Sequence, residues 1–456
     1  MFYHNRLMLM KRIRLLALSL AALCAAATPA MAQTIIRDAE IEEYMAEWFD
    51  PVYKAGNMDS DQVNIVIVQD PMVNAFVAGG ANIFFYTGLL EKTDGPGEVI
   101  GVMAHELGHI AGGHLIRARE AMENASYEAI LGGIIGVGAA ILSGDGNAAG
   151  TIGMAGQSMA TRRYLSYSRS FESSADQYAL ATLGKASLDP SGLGTFLEKL
   201  ENQELLPASQ QSEYVRSHPL TRSRIDSVES GADQSSAKGK AYPEKWIAQH
   251  ARMKAKLMAF IAPQQIAWTY DDRDTSIPAL SARAIAAYRT NDIARALKLA
   301  DELIAREPDN AYFQELKGQM LMEFGRVGES LPYYQKATAL KPRNGLIRTA
   351  LGHAQLETAG NDNGKLQKAI DNLETAQKTE PRSPRIHRLL ATAYGRQGND
   401  GLARLHLAEE ALLLRKKDYA KAQADAALKQ LPAGSAGAIR ANDIISFIEN
   451  DKDSDE

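Results

Sequence analysis

The sequence predicts two structural classes in succession, a mixed α+β domain and then an all-α solenoid of helical repeats. Three observations lead there. From Gln33 to about Ile225 strand-like and helix-like segments alternate; from about Tyr242 onward nearly every segment has helical periodicity; and four prolines in that helical part mark a repeat. The composition agrees. The 456 residues are 45% hydrophobic and 23% charged with a single cysteine, which excludes disordered, fibrous and disulfide-stapled classes and leaves room for two or three domains.

In chain order, residues 1–32 read as a secretory signal peptide. Met1 to Arg14 carries four basic and no acidic residues, Leu15 to Ala27 is a 13-residue apolar run, and Ala30-Met31-Ala32 before Gln33 is a small-x-small cleavage site. Thirteen residues fall short of the roughly 20 that a membrane-spanning helix needs. Cleavage after Ala32 removes Cys24, so the mature chain is expected to have no thiol and a periplasmic location. It also leaves 46 Lys and Arg against 55 Asp and Glu, a formal net charge of −9, which gives no basic footprint for nucleic acid.

Residues 33–226 hold the chemistry. Val63 to Val68 and Asn82 to Tyr86 read as strands, being rich in β-branched and aromatic residues. A helix is expected from about Glu98 to His114, and within it stands His105-Glu106-Leu107-Gly108-His109. Residues four apart share a helix face, so His105 and His109 can bind one Zn²⁺ while Glu106 serves as general base toward a water on the metal. A hydrolytic zinc site takes a third protein ligand. His114 is one residue out of the spacing that a third histidine on this helix would need, a rotation of about 100°, and reads as a helix-end histidine. Glu172, with Asp176 on the same helix face, is a second candidate, although by themselves both read as solvated helix positions. His218, before Pro219, is the third.

Taken together these segments resemble the zinc gluzincin peptidases that include HtpX and the CAAX prenyl proteases. The resemblance runs from about Asn64 to Ile225, through Asn74-Ala75-Phe76-Val77-Ala78-Gly79-Gly80, Thr87-Gly88-Leu89-Leu90, His105 to His109, Ser168 to Asp176, and Ser217-His218-Pro219. It implies an α+β zincin-like metalloprotease domain with one Zn²⁺ per chain held by His105, His109 and Glu172. Glu106 is then the catalytic base, and Asp176 orients a ligating histidine. His218 either stabilises the oxyanion or fills the fourth metal position and holds the enzyme latent. In such peptidases a strand borders the cleft, and an extended substrate is expected to add to its edge. The resemblance further implies unfolded or misassembled outer-membrane proteins as substrates and β-barrel assembly machinery as a partner. A chaperone acting through its repeats, with a largely latent zinc site, is the alternative. Two uncharged stretches, Ala129 to Leu142 and Gly146 to Thr161, match a part that is membrane-embedded in some relatives. Here they read as a buried hairpin or as a flap over the site that touches a membrane or a β-barrel.

Residues 227–275 are expected to be a linker and a bridging helix: Ser227 to Ala241 is rich in Ser, Gly, Asp and Lys, and Trp246 to Ile261 is helical. The repeats occupy 276–432. Pro308 and Pro342 are 34 apart, the tetratricopeptide period; Pro342 to Pro381 is 39, with the five extra residues assigned to the turn Asn361 to Lys365; Pro381 to Pro432 is 51, one and a half periods. Twelve residues before each proline stand Ala296, Ser330, Ala369 and Ala420, and five before stand Leu303, Ala337, Ala376 and Ala427. Mostly small, these residues let paired helices approach, and stacked pairs make a groove for a polypeptide partner. His250, His353, His387 and His406 show no ligand spacing and read as packing or surface residues. Residues 433–456 close the chain as a helix and an acidic tail.

Overall fold

The computed structural model describes residues 34–121, 169–204 and 211–453. The signal peptide and the 129–161 segment lie outside these. The chain begins with a four-stranded sheet of β1 (Thr34–Ile36), β2 (Asn64–Gln69), β3 (Ala75–Ala78) and β4 (Asn82–Tyr86), in the order β1-β2-β4-β3. β2 and β4 are parallel and the outer pairs antiparallel. The β3–β4 hairpin turns through Gly79 and Gly80, whose φ of 60° and 97° favour glycine. Alternation along the strands loads both faces. Ile67, Val77, Ile83 and Phe85 join the main core, while Val66, Val68, Phe84 and Tyr86 form a second cluster in which Phe76 stacks on Phe84 at 5.0 Å. Both strands anticipated from the sequence exist, but each lies inside the sheet, paired on both sides. Edge addition is therefore excluded along β4 and along Ile67–Gln69 of β2, and among the described residues the sheet's outer edges belong to β1 and β3.

Helix α1 (Ala39–Ala55), capped by the Asp38 carboxylate, and α2 (Thr87–Lys92) flank α3 (Pro96–Ala111). Every residue of α3 from Pro96 to His109 is buried, so the helix is apolar all round except where it presents its histidines and glutamates. Pro96 starts it and Gly113, at φ 60°, ends it before α4 (His114–Ala121). Then follow α5 (Arg169–Lys185), α6 (Ser191–Glu198), α7 (Glu213–Ser217) and α8 (Arg222–Asp233). Gly108 lets α3 lie against α5: a Cβ there would meet the Ala175 Cα and carbonyl oxygen at 2.9 Å. The expected linker from Ser227 is in part the second half of α8. Ile225, Val228 and Ala232 form a buried stripe that the surrounding polar residues mask in composition.

Helix α9 (Glu244–Ile261) bridges to the solenoid of α10 (Ile277–Arg289), α11 (Ile293–Arg306), α12 (Ala311–Glu323), α13 (Val327–Leu340), α14 (Gly345–Ala359), α15 (Asn363–Gln377), α16 (Pro384–Arg396), α17 (Asp400–Leu413), α18 (Lys417–Leu428) and α19 (Ala436–Asp453). All eight repeat-phase residues from Ala296 to Ala427 are fully buried. The five extra residues of the longer repeat are not in its turn. Three residues separate α12 from α13 and α14 from α15 alike; α14 and α15 are longer than α12 and α13, and the connection after α15 takes up the rest of the insertion. The solenoid packs on the first domain through one continuous core in which Tyr44 and Trp48 of α1 meet Ala311, Tyr312, Ala337 and Ile347. Lys256 of α9 is buried between Asp38 at 2.7 Å and Glu40 at 3.1 Å.

Candidate metal centre

Helix spacing sets the first two ligands. His105 and His109 lie one turn apart on α3, and their Nε2 atoms stand 3.0 Å from one another. The close approach at Gly108 brings α5 alongside, so that Glu172 places Oε2 3.5 Å from His105 Nε2 and Oε1 3.4 Å from His109 Nε2. A tetrahedral ion with ligands at about 2.0–2.1 Å has donor–donor edges of about 3.3 Å. The three measured edges match that size, and the donor set of two imidazoles and a carboxylate suits a divalent metal. His218, at the end of α7, completes a group of four whose ligand atoms all lie within 4.8 Å of one another. All four side chains are buried.

Between them sits Glu106, with both carboxylate oxygens buried and lacking a hydrogen-bond partner, as expected of a group that awaits a water or substrate. Its Oε1 is 3.4 Å from His218 Nε2. Burial, aided by the Glu172 charge and opposed by His105, pushes the Glu106 carboxyl up to about 8 in the metal-free protein. For His105 burial alone would favour the neutral ring, but Asp176 and Glu172 outweigh it and raise the imidazole to about 9. Such a proton is displaced when a metal binds.

A second layer holds these groups. Asp176 Oδ1 lies 2.8 Å from His105 Nδ1, and the Arg224 guanidinium forks onto Asp176 at 2.7 and 2.9 Å while its third nitrogen reaches Glu172 Oε2 at 2.8 Å. Burial would raise the Asp176 carboxyl, yet Arg224 and His105 hold it well below the usual carboxylate range. His114 stays out of the ligand group. Its ring stacks on Phe171 at 4.5 Å and its Nδ1 contacts His109 Nδ1 at 2.9 Å, so it fixes the His109 ring from behind. His218 stacks on Tyr214 at 4.5 Å. The sequence reading brought out His105, Glu106, His109, Glu172, Asp176 and His218, and the fold gathers all six. It missed Arg224, Tyr214 and the inward role of His114. Only the i, i+4 spacing of Glu172 and Asp176, two carboxylates asking for one cation, hinted at the arginine.

A small mixed sheet, a buried helix carrying two histidines and a glutamate from the next helix define a metallopeptidase-type domain joined to a repeat module. Residues 36–232 match the model of peptidase family M48, and residues 281–345 and 362–420 match that of the tetratricopeptide repeat. The first domain is thus similar to peptidase family M48 and the helical part to tetratricopeptide repeats. The beta-barrel assembly-enhancing protease of Escherichia coli is 24% identical over 331 residues, which cover 71% of this chain and 66%, just under two thirds, of that protein. The protein of the same name from Yersinia pestis is 23% identical over 375 residues, 80% of this chain and 74% of its own length. The metalloprotease LoiP of Escherichia coli is 28% identical over 188 residues, 40% of this chain and 67% of its length.

Proposed function

We propose that this protein is a periplasmic zinc metalloendopeptidase that hydrolyses misfolded or misassembled outer-membrane β-barrel proteins, with its solenoid binding clients or assembly machinery. The observation that carries the reading is the triangle of His105, His109 and Glu172 donors at tetrahedral-edge spacing around the unpartnered Glu106. The substrate class and partner are supported by the names of the relatives, and the location by the basic-then-apolar first 32 residues. Among the described residues no helix is long and apolar enough to cross a membrane.

In this reading His105, His109 and Glu172 hold the metal. A zinc ion there supplies Lewis acidity, which acidifies water and polarises the scissile carbonyl. Glu106 takes the proton of the attacking water and delivers it to the leaving amine as the C–N bond breaks. Asp176 and Arg224 keep His105 and Glu172 aimed at the metal. An extended substrate pairs with the free edge of β3, the edge strand packed on α3, through main-chain hydrogen bonds that demand little of its sequence.

A resting, capped site is compatible with the surroundings of His218. Ser217 Oγ lies 2.9 Å from both the Glu213 carbonyl and His218 Nδ1. When the hydroxyl donates to the carbonyl, the ring proton sits on Nδ1 and Nε2 can serve as a fourth ligand. Opening the site requires His218 to withdraw, which links the protease to client binding.

The test is to offer the zinc-loaded protein an outer-membrane β-barrel, once unfolded and once folded in detergent. Peptide release from the unfolded form alone, stopped by a chelator, is expected. Cleavage of neither form, or equal cleavage of both, contradicts the client assignment.

A further inference from the structure

A second convergence of metal-ligating side chains lies in the solenoid, beyond the protease site and independent of its reading. His387 is in the first turn of α16, and His406 and Glu409 are three residues apart on one face of α17. Their ligand atoms meet at one point. The two Nδ1 atoms are 3.1 Å apart, and Glu409 Oε2 is 2.8 Å from His387 Nδ1 and 3.1 Å from His406 Nδ1. Both histidines are buried, at 3% and 2% exposure.

Four features bear on this triangle as a metal site. Its edges of 2.8 to 3.1 Å are shorter than the roughly 3.3 Å of donors on a tetrahedral ion and overlap hydrogen-bond lengths, so a small outward shift of the three donors would accompany metal binding. Glu409 Oε2 is buried without a hydrogen bond of satisfactory geometry, although two imidazoles flank it. The other carboxylate oxygen, Oε1, is occupied by the Arg440 guanidinium from α19, which turns Oε2 toward the histidines. The Tyr394 ring, 5.6 Å from that of His406 and nearly parallel to it, fixes the imidazole plane. A metal ligand is commonly held in this way by a group outside the coordination sphere.

We propose that His387, His406 and Glu409 bind a divalent transition-metal ion, zinc foremost, which clamps α16 to α17 within the solenoid. Two imidazoles and a carboxylate are a donor set for zinc, copper or nickel and a poor one for calcium or magnesium. Three protein donors leave a fourth position for water. Nineteen residues separate the histidines, so no short motif announces the site; the antiparallel pairing of the two helices creates it.

The experiment measures bound zinc after chelator stripping, reloading with zinc and dialysis, in the full mature chain. The wild type is expected to hold two equivalents. The double variant His105→Ala/His109→Ala isolates the solenoid site and is expected to hold one, with the visible absorption of a tetrahedral ion when Co²⁺ replaces zinc. Adding His387→Asn or Glu409→Gln to it abolishes that equivalent, with helicity checked by circular dichroism. A folded double variant that binds no zinc, or one that keeps its equivalent after both further substitutions, overturns the proposal. Where the double variant does not fold, His387→Asn alone decides: two equivalents falling to one supports the site, and an unchanged number overturns it.

Discussion

At the scale of single residues the metal centre depends on groups that never touch the metal. Asp176 is nearly buried, and its ionised form is held by the Arg224 fork and by His105. Asp176→Asn is expected to weaken zinc binding by about 10- to 100-fold, the usual cost of removing such a partner, measured by chelator competition. The sign with pH follows from its depressed folded value. The stabilisation is present above the ordinary carboxylate value of about 3.9 and is lost as pH falls through it toward the folded value. Acid denaturation should therefore begin later in Asp176→Asn than in the wild type relative to their neutral stabilities. His218→Ala removes the fourth donor, and basal cleavage of an unfolded protein should rise about tenfold or more, the equivalent of about 1.4 kcal/mol; a fall would assign His218 to oxyanion stabilisation instead. The His-x-x-x-His spacing was legible because helix geometry alone makes it a site. Arg224 was not, since neither it nor the neighbouring Arg222 carries a periodic or spacing signal, and Arg224 acquires meaning only when α8 packs beside α5.

At the scale of elements, the distance between α3 and α5 sets the two edges of the ligand triangle that end on Glu172. Gly108→Ala puts a methyl 2.9 Å from the Ala175 backbone, which cannot yield as a side chain can. The helices must part. The expected cost is about 1–3 kcal/mol of stability together with a loss of zinc affinity, read from denaturant unfolding of the metal-free protein and from chelator competition. Strand identities were legible from β-branched runs, yet their place in the sheet was not. A strand inside a sheet and one at its edge share a pattern when both faces are apolar, as they are here. Composition also concealed the end of α8, where three buried apolar residues outweigh the polar ones around them.

At the scale of the whole molecule, the repeat period gave the solenoid, because the same small residues recur wherever two helices cross. Its docking on the protease domain left no such trace. That interface is made of single residues from distant segments: Tyr44 edge-on to Tyr312 at 6.2 Å, Arg37 paired with Glu380 at 2.8 Å, and Lys341 paired with Glu43. One core spans both parts, so differential scanning calorimetry of the metal-free chain should give one cooperative transition covering the protease domain and the first repeats. Two well-separated transitions split between protease and solenoid would contradict a shared core. For the function proposed above the joint matters because the shared core holds the solenoid in fixed relation to the protease domain.

The central claim is that Glu106 performs proton transfer at a zinc site built by His105, His109 and Glu172. The measurement that tests it most directly compares wild type and Glu106→Gln, each reloaded with zinc, in the rate of peptide release from an unfolded protein at matched metal content. The account predicts unchanged zinc binding at His105, His109 and Glu172 and a rate lower by about 10²- to 10⁴-fold. A Glu106→Gln protein that binds zinc and cleaves at the wild-type rate would contradict it.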